Sequence, residues 1–147
     1  MKYRIRPMEE RDISDIVQGE KKIFGSTLGI DLLYAELKLN PYANYLILEI
    51  DSQFGGYIGL WIYGANAEVI NFFIMEKYQG LGFGKLLLDF AIELCEMSNV
   101  EIITLEVRED NQKAKNLYFK SGFFYSHHRE NYYSDLTDAL VFIKKLR

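Results

Sequence analysis

Gln79-Gly80-Leu81-Gly82-Phe83-Gly84-Lys85 sets three glycines at alternate positions between two apolar segments. An apolar run from Val69 to Ile74 precedes it, and a long amphipathic run from Leu86 to Met97 follows. The order predicts a strand, a glycine-rich turn and a helix. A helix start exposes N–H groups that lack intrahelical partners, and the helix dipole adds partial positive charge there, so anions are favoured. Glycine lets a ligand approach the main chain with no Cβ in the way. The stretch is therefore a candidate phosphate cradle, to which Lys85 adds a charge.

Two common phosphate-binding patterns do not fit. Counted back from Gly84-Lys85, the P-loop pattern would need Gly where Gln79 stands and Ser or Thr where Leu86 stands, which argues against a nucleoside triphosphatase. The dinucleotide fingerprint Gly-x-Gly-x-x-Gly ends on Lys85 or Leu87, depending on whether it starts at Gly80 or Gly82. The pattern Gln/Arg-x-x-Gly-x-Gly/Ala does fit, at Gln79, Gly82 and Gly84. In this the stretch resembles the pyrophosphate-binding signature of the GCN5-related N-acetyltransferases (GNAT).

The chain has 147 residues, which suits a single domain over 1–147 with a real core. Apolar residues make up 49% and charged residues 26%, a globular composition. A net charge of −4 argues against a general nucleic-acid binder, which needs a basic face. With one cysteine, Cys95, no internal disulfide forms, and His127-His128 cannot complete a Cys/His zinc site, so no metal is expected. No apolar run approaches the ~18–20 residues of a membrane-spanning helix. The N-terminus, Met1 to Arg6, lacks the apolar stretch of a signal peptide. A cytoplasmic protein without nucleic-acid or membrane partners is expected.

From the N-terminus, Tyr3 and Ile5 predict a short strand stopped by Pro7, and Asp12 reads as the cap of a helix carrying Ile13, Ile16, Val17, Ile23 and Phe24. Gly25-Ser26-Thr27 breaks that helix, and a second one bears Leu32, Leu33 and Leu37 up to Asn40-Pro41. Tyr45 to Ile50, Gly56 to Tyr63 and Ala67 to Ile74 read as a three-stranded meander, with Asp51 to Gly55 as its first turn. Apolar residues on both faces imply helices on each side. The helix after the glycines shows Phe83, Leu87, Phe90, Leu94 and Met97 as its apolar stripe, with Cys95 beside it as a small core residue. Glu101 to Val107 is the next strand. Asp110 or Asn111 caps a helix with Ala114, Leu117 and Tyr118 on one face, and strands from Phe123 and from Ala139 to Leu146 follow. The expected fold is α/β: a mixed sheet, an antiparallel meander followed by βαβ, with helices on both faces.

A second block, Glu106-Val107-Arg108, Asn111, Ala114, Leu117-Tyr118 and Gly122-Phe123, extends the resemblance to the GNAT family through roughly residues 45 to 142. The Leu105–Arg108 strand, Asn131-Tyr132-Tyr133 and Asp138-Ala139 resemble, more narrowly, the bacterial ribosomal-protein-alanine N-acetyltransferases. Two places depart from that branch. Phe24-Gly25-Ser26-Thr27 has no Pro or Trp where the branch often carries both, beside the acceptor groove. Gly80-Leu81 replaces a basic residue of the pyrophosphate loop.

The resemblance implies acetyl transfer from acetyl-CoA to a protein N-terminal α-amine in a ternary complex, the N-terminal alanine of a small-subunit ribosomal protein being one such acceptor. It implies that Gln79 to Lys85 (Gln79, Gly80, Leu81, Gly82, Phe83, Gly84, Lys85) hold the pyrophosphate. The backbone of Phe72, Phe73 and Ile74 would pair with the pantetheine arm and polarise the carbonyl, with Asn111 nearby. It makes Tyr118 the proton donor to the thiolate and matches Glu106 to the base. Glu106 also stands out by itself, as a carboxylate among Ile103, Leu105 and Val107, where burial would be costly unless the strand end is open. A salt-bridged Glu106, paired with Arg108, is the structural alternative. Tyr132 and Tyr133 in a polar loop read as acceptor contacts. Acetylation of a small amine or amino acid is a second reading of the chain, and a non-catalytic acyl-CoA-binding module a third.

Overall fold

The computed structural model describes residues 1–146. Strands β1 (Tyr3–Pro7), β2 (Ala43–Ile50), β3 (Gln53–Tyr63) and β4 (Asn66–Ile74) form an antiparallel meander. Strand β5 (Ile102–Arg108) lies parallel to β4, and β7 (Ala139–Lys145) runs antiparallel between β5 and β6 (Phe124–Arg129). The sheet order is β1-β2-β3-β4-β5-β7-β6. Helices α1 (Ile13–Phe24) and α2 (Ile30–Lys38) link β1 to β2, α3 (Phe83–Met97) crosses from β4 to β5, and α4 (Gln112–Lys120) follows β5. This is the expected α/β class with a mixed sheet.

Alternation along the strands divides the core into two layers. Leu46, Leu48, Ile58, Leu60, Ile103 and Leu105 meet Leu87, Leu88, Ala91 and Ile92 of α3, and Tyr118 of α4 joins this layer. Tyr45, Ile47, Tyr57 and Phe73 face the other way, against Ile13, Ile16 and Val17 of α1 and Leu33 of α2. Helix α1 comes very close to β4: a Cβ on Gly19 would sit 2.5 Å from Phe73 Cζ.

Three local expectations are corrected. The buried face of α3 is Phe83, Leu87, Leu88, Ala91, Ile92 and Cys95, whereas Phe90 and Met97 are exposed. The 4-3-4-3 stripe has a period of 3.5, and a straight helix at 3.6 drifts away from it within two turns. The β2–β3 turn is Asp51-Ser52 alone, both with positive φ (49° and 66°), as a two-residue hairpin of the I′ kind requires. Asp12 does not cap α1 with its side chain; its carboxylate takes two N–H groups of Arg6 at 2.8 Å each and the Glu9 N–H at 2.8 Å. A bidentate charge-assisted pair outcompetes a neutral cap bond. Among the described residues no helix is long and apolar enough to cross a membrane.

Candidate functional site

Strands β4 and β5 pair at only three positions, Asn66↔Ile102, Ala67↔Ile103 and Glu68↔Thr104. Beyond Glu68 they part, and the facing edges of both strands lie open. The local cause is a bulge: the β3–β4 register shifts between Gly59 and Leu60, opposite Asn71 and Val69, so Ile70 is extra and β4 bends. The Met75 N–H donates to Gly55 O at 2.8 Å, toward β3. Backbone groups alternate along a strand, so those of Phe72 and Ile74 point the other way, into the opening. There the Ile74 carbonyl accepts from Gln79 Nε2 at 2.9 Å, and the Phe72 N–H donates to Asn71 Oδ1 at 3.0 Å. The side chains of Phe73 and Ile74 are buried. The main chain of Phe73, in phase with Met75, faces Tyr57 of β3, so the expected backbone contact at Phe73 is corrected: only Phe72 and Ile74 offer main-chain groups to a ligand.

The glycine turn lies just past the end of β4. Gly82 takes φ +89° as the N-cap of α3, and Gly80 takes φ +78°. A Cβ on either would meet nothing within 4 Å, so both face open space. The first bond of α3 runs from the Leu86 N–H to Gly82 O at 3.1 Å, which leaves the Phe83, Gly84 and Lys85 N–H groups directed out of the helix start. An anion-binding concavity of main-chain donors fits a diphosphate. Leu81 is exposed on the turn, while the Phe83 ring turns inward between Tyr3 and Tyr78, at 6.3 and 6.4 Å. The Lys85 ammonium is tied to Asp89 at 2.6 Å. A cation unnoticed in the sequence, Lys113 of α4, reaches Gln79 Oε1 at 3.0 Å. Only the fold brings the start of α4 beside this turn.

Glu106 and Tyr118 lie on opposite faces of the sheet. Ile103, Leu105 and Val107 enter the α3 layer, so Glu106 projects to the face that carries α1 and α2. Its side chain is 24% exposed and lies 3.4 Å from Arg129 Nη1 of β6. Arg108, the partner considered from sequence, instead binds Asp135 at 2.6 Å, Asp110 and Thr137. The Glu106 carboxylate beside Tyr132 raises the pKa of its hydroxyl above the ordinary phenol value. Tyr133 is also raised, first by burial and then by the Glu106 charge. The loop between β6 and β7 thus brings both tyrosines to the carboxylate, with Arg129 over the Tyr132 ring at 5.4 Å and Arg108 over the Tyr133 ring at 4.9 Å.

Tyr118 is 7% exposed and packs edge-on against Phe123 and Phe142, at 5.9 and 6.3 Å. Among the described residues no fully buried side-chain oxygen lacks a partner, and the Tyr118 hydroxyl makes no hydrogen bond, so the hydroxyl is part of the small exposed fraction. Burial, and secondarily Tyr133, push its pKa up. Asn111 caps α4, accepting from the Ala114 N–H at 3.1 Å. Cys95 is fully buried and its thiol is pushed up to about 11 by burial, which suits a core residue and not a nucleophile.

The acetyltransferase (GNAT) family model matches residues 11–123. A Bacillus subtilis protein, provisionally named a ribosomal protein bS18-alanine N-acetyltransferase, is 38% identical over 141 residues, covering 95% of this chain and 93% of its own length. The ribosomal protein bS18-alanine N-acetyltransferase of Haemophilus influenzae is 38% identical over 102 residues, 68% of this chain and 69% of that one. The crystal structure of the Escherichia coli ribosomal-protein-S18-alanine N-acetyltransferase superposes with a TM-score of 0.91 at 22% identity, covering 99% of this chain and 94% of that one.

Proposed function

Because the chain belongs to the acetyltransferase (GNAT) family and is an N-acetyltransferase, we propose that it carries acetyl groups from acetyl-CoA to the α-amine of a protein N-terminus. The acceptor we favour is an N-terminal alanine, in keeping with the names of the relatives that are 38% identical. The observation that carries the reading is the parting of β4 and β5 after Glu68, with Glu106 on one face of the sheet and Tyr118 in the layer on the other. An acyl thioester threaded through that gap would present its carbonyl to an amine on the Glu106 side.

In this reading the main-chain donors of Gly80 to Lys85 and Lys113 hold the diphosphate of coenzyme A, and the β4 edge at Phe72 and Ile74 holds the pantetheine arm. The Phe72 N–H donates to the thioester carbonyl oxygen, where negative charge develops during acyl transfer. Glu106 takes a proton from the attacking amine, directly or through one water. As the new C–N bond forms and the C–S bond breaks, Tyr118 gives its proton to the sulfur. Tyr132 and Tyr133 line the acceptor side. An α-amine has a pKa of about 7.7–8.0, so a carboxylate within reach is a sufficient base near neutrality.

The test is an acetyl-CoA turnover assay over alanine-first peptides, N-terminally blocked lysine peptides and small free amines. Preference for the alanine-first peptides is expected. Turnover of free amines alone would replace this acceptor with a small molecule, and binding without turnover of any acceptor would leave a non-catalytic module.

A further inference from the structure

We infer that Glu20 is a positioning residue for acetyl transfer, acting through Asn71 on the Phe72 N–H that faces the β4–β5 opening. The inference rests on the acetyl-CoA reading above. Glu20 lies in α1 with no exposed surface. A buried carboxylate is costly unless its oxygens are satisfied. Here they are satisfied wholly by neutral donors: Thr27 Oγ1 at 2.5 Å and the Leu28 N–H at 3.1 Å on one oxygen, Tyr57 Oη at 2.5 Å and Asn71 Nδ2 at 2.5 Å on the other. Four donors fill the acceptor positions of an ionised carboxylate. Tyr57 stays protonated to donate, since burial and then this bond raise its pKa.

The consequence falls on Asn71. A carboxylate that only accepts must face the amide NH2, so the other end of the Asn71 amide, Oδ1, is forced toward the main chain. There it accepts from the Phe72 N–H at 3.0 Å. Asn71 therefore occupies, in the free protein, the N–H assigned to the thioester carbonyl, and keeps it aimed into the opening beside the bulge. The same carboxylate holds Thr27 and Leu28, in the segment joining α1 to α2. One buried group thus ties the acceptor-side segment to the carbonyl-polarising edge of β4, in a network whose members fix each other's orientation.

In Glu20→Gln the Leu28 N–H, which can only donate, keeps the amide oxygen, so the NH2 faces Tyr57 and Asn71 and the Asn71 amide loses its fixed sense. Removing an oxyanion donor costs ~10²–10³-fold in kcat, and a misaimed donor should cost about 10-fold, with KM for acetyl-CoA within about twofold. Asn71→Ala should behave alike. The separate readout is the carbonyl stretch of bound ¹³C-labelled acetyl-CoA, which should be shifted in the wild type and move back toward its free value in both variants. Glu36→Gln is the control. Glu36 is likewise buried, held by Tyr45 Oη at 3.0 Å and Trp61 Nε1 at 2.6 Å, but has no bond to β4. It should lower the melting temperature and leave the carbonyl where the wild type has it. A wild-type shift that persists undiminished in Glu20→Gln and Asn71→Ala would overturn this inference alone. A wild-type complex with no shift and no turnover would overturn it together with the acetyl-CoA reading.

Discussion

The strength of the Glu106 contact with Arg129 decides how substitution of Glu106 should be read. The Arg129 contact is 3.4 Å long with the arginine side chain 53% exposed, and such pairs are worth ~0–1 kcal/mol. Glu106→Gln should therefore hardly alter the melting temperature. As a base, Glu106 serves an amine that is mostly ammonium below its pKa. Its loss should lower turnover about 10²–10³-fold near neutrality, and the deficit should shrink by about pH 9–9.5 as the free amine accumulates. A deficit that stays constant with pH, with a lowered melting temperature, would remove Glu106 from the mechanism. Tyr118→Phe keeps the ring against Phe123 and Phe142 and deletes only a hydroxyl that bonds to none of the described residues, so stability should hold while kcat falls about 10²–10⁴-fold. Its pKa is raised, so the proton is still present at the alkaline end of the assay, and wild-type kcat should not decline below about pH 10 through loss of this acid.

At the level of elements, the glycine turn couples conformation to ligand. Gly82 sits at φ +89°, a region costing an L-residue ~1–2 kcal/mol, and nothing occupies the space its Cβ would enter. Gly82→Ala and Gly82→Glu should thus melt at similarly lowered temperatures, because both carry the same backbone strain. Only the glutamate adds a negative charge to the diphosphate cradle, so calorimetry should find acetyl-CoA binding abolished in Gly82→Glu and largely kept in Gly82→Ala. Equal affinities in the two would refute the cradle. This turn was legible in sequence because glycine spacing reports main-chain geometry directly. The bulge at Ile70 was not, since one unpaired residue leaves the apolar pattern of β4 intact. Lys113 and Arg129 escaped notice because exposed cations are common, and only tertiary placement brings them to Gln79 and Glu106. Glu20 did leave a trace: it falls among Ile16, Val17 and Ile23, at a position where the helix period calls for an apolar side chain.

Across the whole molecule, the two-layer plan followed from apolar residues on both faces of the meander, but the fastening of the N-terminal third did not, because it depends on ion pairs between segments distant in sequence. Arg6 at the end of β1 binds Asp12 twice at 2.8 Å and Glu49 of β2 at 2.8 Å, with Asp12 3% exposed. This joins the edge strand, its neighbour and the entry to α1, whose Glu20 reaches the site. Burial alone would raise the Asp12 pKa; the Arg6 hydrogen bonds and charge and the Glu9 N–H outweigh it, and the pKa is lowered. Glu49 is lowered too, first by its hydrogen bond to Arg6. A carboxylate whose folded pKa is depressed adds stability above its unfolded value, ~4, and that contribution is lost as pH falls through the folded value. Asp12→Asn removes the charge from a buried pair, a change that typically costs about 3 kcal/mol or more, though Arg6 keeps Glu49. At pH 7 the variant should melt about 5–10 °C below the wild type. From about pH 4 downward the two melting curves should begin to converge, because the unfolded wild type then takes up a proton on Asp12, and they should meet once pH falls below the lowered folded value. A gap of constant size from pH 7 to pH 3 would mean that Asp12 contributes shape and hydrogen bonding to the junction and not charge.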